Sequence, residues 1–328
     1  MLSKVAKAAA RVLGQAGIVA GVVGVLTFLM MRALPGDAAY RVAAGRYGYD
    51  LVDTAAAEAV RLELGLDQPA WQQLARWLLD LVQFRLGNSM VSGESVWHEL
   101  SHHMAHSLYL AAVAWLLALV IGIGLGTLAA IRGGYTARLV SSLATLFKAT
   151  PAFLLGLLLT TAVAVHLQWL PVAGHGGVQF VVLPALCLAL SLSAGLAQVV
   201  HAQLSAILQS DYFEFARTKG LPMRAALWRH AARNLAVPVL AYAGVQLVLL
   251  VEGVVVVETL FAWPGIGHAL VHAIFSRDVP MIQGAALLMG LMFVLLNALL
   301  DALHSLIDPR LGSLNSARAR FGSLRAGQ

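Results

Sequence analysis

The chain has 328 residues, of which 59% are hydrophobic and 12% charged, with a mean hydropathy of +0.78. That balance excludes a pair of soluble domains, each needing a polar skin around its core, and points to a polytopic membrane protein. The net charge of +6 would suit nucleic acid, but no basic run is interleaved with aromatics, and Cys187, the single cysteine, excludes intrachain disulfides and thiolate clusters.

Six stretches are long and apolar enough to cross about 30 Å of hydrocarbon at ~1.5 Å per residue. They fall near residues 12–33, 105–131, 139–167, 179–200, 235–257 and 281–307. Lys4, Lys7 and Arg11 precede the first as they would a signal peptide. Its run of about 20 apolar residues exceeds a signal core, and no small-x-small cleavage site follows Arg32, so an uncleaved span is expected. Residues 1–34 then form a cytoplasmic start and first span, and residues 35–104 an extracytoplasmic segment. Within that segment Trp71, Leu74, Trp77, Leu78 and Leu81 recur at helical spacing, predicting an amphipathic helix on the domain or membrane surface.

At the entry to the second span stands His98-Glu99-Leu100-Ser101-His102, a literal HExxH. On a helix its two imidazoles share a face and can bind zinc, with Glu99 as general base. Ala105 and Leu108 occupy the positions where the extended metzincin motif needs Gly and His, and no third ligand presents itself. A milder reading keeps His98, His102 and His106 as a weak transition-metal site; the alternative makes them interfacial polar residues. In the second span, Gly122, Gly124 and Gly126 read as a close-packing stripe; no strand precedes them, so they are not a dinucleotide loop.

Ionisable residues inside spans are costly and usually paired or functional. Lys148, Glu252, Glu258 and Asp301 qualify, as candidates for an aqueous translocation pathway. Lys148 and Glu252 lie deeper in their segments than the other two, facing that pathway or each other.

Residues 211–238, DYFEFARTKGLPMRAALWRHAARNLAVP, carry five Lys or Arg against two acids between two apolar segments. Asp211 followed by Glu214 fits an N-cap with a carboxylate three residues on. Gly220 supplies a C-terminal stop and Pro222 a start for a second helix. The prediction is two short helices meeting at a basic corner, a docking surface or a loop that only sets topology.

Loop charges give the orientation. Of the 22 Lys and Arg, fourteen lie on the side of both termini and residues 211–238, seven on the other side, and Lys148 in a span. The positive-inside rule then places both termini and the corner in the cytoplasm. Residues 105–310 form a core of five further spans, and the polar, basic residues 311–328 have the composition of a disordered cytoplasmic tail. No internal repeat supports an inverted-repeat carrier. No GxxxxGK[ST] occurs anywhere, so this chain has no P-loop with which to cradle ATP.

With these residues in place the chain resembles the permease subunits of ABC importers of the dipeptide/oligopeptide/nickel family, from the first span to about Leu311. The resemblance rests on an EAA-like element read as Glu214, Ala216 and Gly220, continued by RHAARNLAVP. LGLDQPAWQQ, LQWLPVAG, VVVETLFAWPGIG, RDVPMIQG and LIDPRL also stand in family order. Phe215 departs from the usual Ala of that element, His102, His103 and His106 replace a region that usually reads ERLPATL, Glu252 stands where a small residue is expected, and His201 replaces a usual Arg.

The resemblance implies an all-α type I importer permease of six transmembrane helices in a bacterial inner membrane. It implies no cofactor in this chain, with ATP and Mg on partner ATPase subunits. Two such ATPases, a homologous second permease and an extracytoplasmic substrate-binding protein would be its partners, besides membrane lipid; nucleic acid would not. Glu214, Ala216, Gly220, Leu221, Pro222 and Arg224 would couple to the ATPase, and this chain itself would not be an enzyme. The solute would be a short peptide or a nickel or other metal chelate. A passive channel or secondary transporter, and an HExxH metalloprotease, are the readings from other classes.

Overall fold

The structure is a computed structural model that describes residues 2–33, 36–48, 52–63, 68–83 and 85–307. The tail expected over 311–328 and the end of the LIDPRL block lie outside the described residues, as do the side chains of Lys4, Lys7 and Glu252. Every regular element among the described residues is helical. Among the described residues the only strand-type pairing is an isolated bridge between Asn88 and Ser95.

In chain order the helices are α1 (Leu2–Ala33), α2 (Ala38–Tyr47), α3 (Thr54–Glu63), α4 (Ala70–Val82), α5 (Val96–Arg132), α6 (Gly134–Ala149) and α7 (Ala152–Leu159). They continue with α8 (Val178–Leu208), α9 (Asp211–Thr218), α10 (Met223–Ala226), α11 (Ala232–Leu260), α12 (Ile266–Ser276) and α13 (Val279–Ile307). π-helical turns cover Thr160–His166 and Leu227–Ala231. Among the described residues five helices are long and apolar enough to cross a membrane, six if α6 and the Ala152–His166 segment together make one broken span.

That broken span corrects the continuous helix expected over 139–167. Pro151 has no N–H to donate and pushes the preceding residue out of the helical region, so Thr150 sits at φ −87, ψ 123 and the two arms bend by 107°. Lys148 lies exposed in the last turn of α6, where a cation complements the unpaired carbonyls.

The chain divides into two compact units. One comprises Met1–Ala111, Gln168–Val181 and Val254–Leu295. Its core gathers Val96 and Leu100 of α5, Ile266 and Ala273 of α12, and Met281, Ile282 and Ala285 of α13. A second cluster, Val42, Ala43 and Val60, joins α2 to α3, two helices the sequence pattern did not disclose. The amphipathic α4 does form: its Trp77 ring covers Gly24 of α1, while Trp71 stays exposed.

The other unit comprises Ala112–Leu167, Val182–Gly253 and Leu296–Gln328. Here α5 meets α8 through two glycines. A Cβ on Gly122 would stand 2.9 Å from Leu196 Cβ, and one on Gly126 2.6 Å from the Ala197 carbonyl oxygen. Gly124, expected in the same stripe, has nothing within 4 Å, because residues two apart on a helix point to different faces. Trp115 Nε1 donates to the Ala243 carbonyl at 3.0 Å and the Gln246 amide to Leu192, tying α5 and α8 to α11.

Candidate functional site

The corner between α8 and α11 is built as an apolar underside carrying a polar face. On α9, Phe213 and Ala216 are buried while Asp211, Tyr212, Glu214, Phe215 and Arg217 are exposed. Phe213 joins Leu204 near the end of α8, Ala226 of α10 and Ala231 of the π-helical turn, with Ile207, Leu208, Leu221, Met223, Leu227 and Leu235 packed around them. These apolar residues, with Ala130 of α5, thus fix the two short helices to the long ones that flank them, leaving Glu214 and Arg224 facing out.

The local signals work with one change. Ser210, not Asp211, is the N-cap, at φ −80 and ψ 146; its hydroxyl turns back to the Ile207 carbonyl at 2.5 Å, so no side chain caps the helix. Asp211 is the first helical residue, and with Glu214 it places negative charge at the positive end of the helix dipole. Helix α9 ends at Thr218, with Lys219 as its C-cap, because Gly220 takes φ +85, a left-handed conformation that costs other residues about 1–2 kcal/mol. Pro222, at φ −63 and ψ 150, is the N-cap of α10 instead of its first residue; Ala226 N–H donates to its carbonyl at 3.0 Å. A cavity of about 230 Å³ opens beside the corner, lined by Leu208, Gln209, Phe213, Glu214, Arg217 and Met223. Phe215 lies exposed with Lys219 Nζ 4.4 Å above its ring, a cation–π contact that uses the residue departing from the family pattern.

Candidates elsewhere are placed less uniformly. Glu258 is fully buried near the end of α11. Its carboxylate accepts the Ser107 hydroxyl and, at 2.8 Å, the Gly267 amide; Ser107 Oγ in turn accepts the Ile266 amide at 2.8 Å. The turn between α11 and α12 is further held by Trp263 Nε1 on the His106 carbonyl at 3.1 Å and His103 Nδ1 on the Pro264 carbonyl at 2.8 Å. Asp301 is exposed on α13. His98 and His102 stack edge to face at 4.9 Å between centroids, whereas His106 packs on Trp263 at 5.9 Å. Glu99 accepts the Ser92 hydroxyl. Among the described residues no three His, Cys, Asp or Glu are gathered as a metal ion needs. Sequence reasoning missed Asp278, buried and accepting Ser89 Oγ and the amides of Met90 at 3.1 Å, Val91 at 3.3 Å and Met281 at 3.3 Å; the RDVP string was its only signal.

An all-helical chain with these spans and a packed, polar-faced corner is the architecture of a transport permease, and the comparisons agree. Residues 122–313 match the family described as binding-protein-dependent transport system inner membrane component. The chain belongs to that family: it is a multi-pass inner-membrane permease component of an ABC transporter. Among its relatives, a glutathione transport system permease protein of Pectobacterium atrosepticum is 38% identical over 289 residues, covering 88% of this chain and 93% of its own. The glutathione transport system permease protein of Escherichia coli (strain K12) is 36% identical over 289 residues, with the same coverage. A Brucella abortus (strain 2308) protein, provisionally named a peptide transport system permease, is 37% identical over 298 residues, again covering 88% and 93%.

Proposed function

We propose that this chain forms half of the translocation pathway of an ATP-driven importer of short peptides delivered by an extracytoplasmic binding protein. A homologous permease supplies the other half, and two cytoplasmic ATPase subunits engage residues 211–238. The observation that carries this reading is the corner itself. Its Phe213 and Ala216 side is packed, so the outward Glu214, Arg217 and Arg224 side moves only together with α8 and α11. A surface of that kind transmits a rigid-body displacement from a docked partner. A passive channel has no use for it, and the names of the relatives favour a peptide over a metal chelate. Lys148, Glu252 and Asp301 remain the candidates for polar groups along the pathway.

The test uses the complex purified with its ATPase subunits and reconstituted with the binding protein and peptide. Peptide-loaded binding protein is expected to stimulate ATP hydrolysis several-fold. Glu214→Ala is expected to remove most of that stimulation. Gly220→Pro should remove all of it while membrane insertion persists, because proline cannot reach φ +85. Stimulated hydrolysis and uptake unchanged in Gly220→Pro would overturn the coupling role.

A further inference from the structure

A second cavity, of about 340 Å³, lies in the first unit. Glu99 and His103 reach it from α5, His268 and His272 from α12, Ser89 and Ser92 from the turn before α5, and Asp278 from the α12–α13 junction. Its polar side chains are two carboxylates, three imidazoles and three serine hydroxyls. No lysine or arginine lines it. Asp278 is saturated by four donors, whereas Glu99 accepts only Ser92 Oγ through one oxygen and keeps the other open. His268 Nδ1 is buried with no hydrogen-bond partner. His103 spends Nδ1–H on the Pro264 carbonyl, which leaves Nε2 as an acceptor in the neutral ring.

We propose that this cavity receives a primary ammonium group, the N-terminal ammonium of a short peptide, held by the free oxygen of Glu99 and the imidazole nitrogen of His268. The choice of peptide as its source rests on the importer reading above. A cation fits because the site offers lone pairs and negative charge without a competing basic side chain. The positive end of α12 does not oppose it, since Glu258 and Ser107 already take the Gly267 and Ile266 amides. An ammonium fits better than a divalent metal. Metal–nitrogen bonds of about 2.1 Å demand tightly converged ligands, whereas N–H···N and N–H···O contacts span about 2.9 Å, and no three ligands converge here among the described residues. The volume lies at the low end of ligand cavities, suiting an end group and not a whole peptide.

The neighbouring charges set the pH dependence. Burial, and then the nearness of His272 and His103, hold the His268 imidazole below its ordinary value, so it is a neutral acceptor at pH 7. His103 and Glu99 face it from α5, His272 from its own helix and Asp278 from the following junction, while Glu258 lies behind on α11. Acid strong enough to charge His268 therefore places a positive charge in the site and repels a cation.

The test is calorimetric titration of the full chain in lipid nanodiscs, without ATPase or binding protein, using glycylglycine, N-acetylglycylglycine, ethylamine and Zn²⁺. Glycylglycine and ethylamine are expected to bind, the acetylated peptide at least tenfold more weakly than its parent, and both amines about tenfold more weakly at pH 5.5 than at pH 7.5. Glu99→Gln should weaken both amines about tenfold and His268→Asn at least threefold. Should Glu99→Gln lose its helical circular dichroism, Ser92→Ala, which frees the second Glu99 oxygen, carries the same test and should hold or raise affinity. Equal binding of the acetylated peptide, unchanged affinity in a folded Glu99→Gln, weaker binding in Ser92→Ala, or Zn²⁺ binding without amine binding would each overturn the ammonium site. Ethylamine binding without glycylglycine binding would overturn the peptide source. Because no partner is present, lost ATPase stimulation leaves this result standing, and a negative result here leaves the importer reading standing.

Discussion

Glu258 is a carboxylate without a cation partner in its immediate shell, and its hydrogen bonds explain why it is tolerated there. It accepts the Ser107 hydroxyl and the Gly267 amide, and the same Ser107 oxygen takes the Ile266 amide, so one acid organises the first turn of α12. Two glycines make room for it: a Cβ on Gly265 would overlap the carboxylate itself, and one on Gly267 would stand 2.5 Å from Val255 Cα. Removing the acid leaves two buried donors without an acceptor, each costing about 1–3 kcal/mol. Glu258→Ala is therefore expected to destabilise the protein by about 2–5 kcal/mol, whereas Glu258→Gln, which keeps one acceptor oxygen, should cost roughly half as much. Thermal unfolding of the purified variants measures this, and an alanine variant as stable as the parent would refute the strut. Transport by the glutamine variant then separates a structural Glu258 from one that contacts solute: a folded, active Gln variant leaves only the strut.

At the scale of elements, α5 meets α8 backbone to backbone at Gly126, where the Ala197 carbonyl occupies the space a side chain would need. Backbone cannot yield as a flexible side chain can, so Gly126→Ala should cost about 1–3 kcal/mol as overpacking, while Gly124→Ala, in open space, should be neutral or slightly stabilising. A matched pair of denaturation curves decides it; equal losses at both positions would mean the packing is not as described. These two glycines also mark how far the sequence could be read. The long apolar runs, the amphipathic α4, and the Gly220 stop were legible, since each is a local pattern with a local cause. The stripe was over-read because a run of alternate glycines says nothing about which face meets a neighbour. The break at Pro151 was written in the sequence but overruled by the hydropathy of the residues on either side. Helices α2 and α3 escaped because their Ala-rich faces bury few large apolar residues, and α5 begins at Val96, earlier than hydropathy suggests, because its first turns are polar.

For the whole molecule, the site was legible in two unequal halves. The corner is contiguous, so spacing alone disclosed it; the acceptor-lined cavity draws on residues separated by more than 150 positions, such as Glu99 and His268, and only the fold brings them together. The importer reading depends on one proposal, that residues 35–104 and 211–238 belong to opposite sides of the membrane, which rests on fourteen basic residues against seven. Exposed positions allow a direct check. Cys187 is buried, so Cys187→Ala gives a thiol-free background, into which Ser92→Cys or Lys219→Cys is introduced, both at exposed sites. A membrane-impermeant thiol reagent applied to intact spheroplasts is expected to label Ser92→Cys and to spare Lys219→Cys. Opening the membrane should then label both to the same extent. The reverse pattern would invert the chain and remove the corner from the side where ATP is hydrolysed. Labelling of both in intact spheroplasts would mean that residues 35–104 and 211–238 share a side, which an odd number of crossings between them forbids; the 107° bend at Pro151 would then mark a re-entrant hairpin in place of a third span.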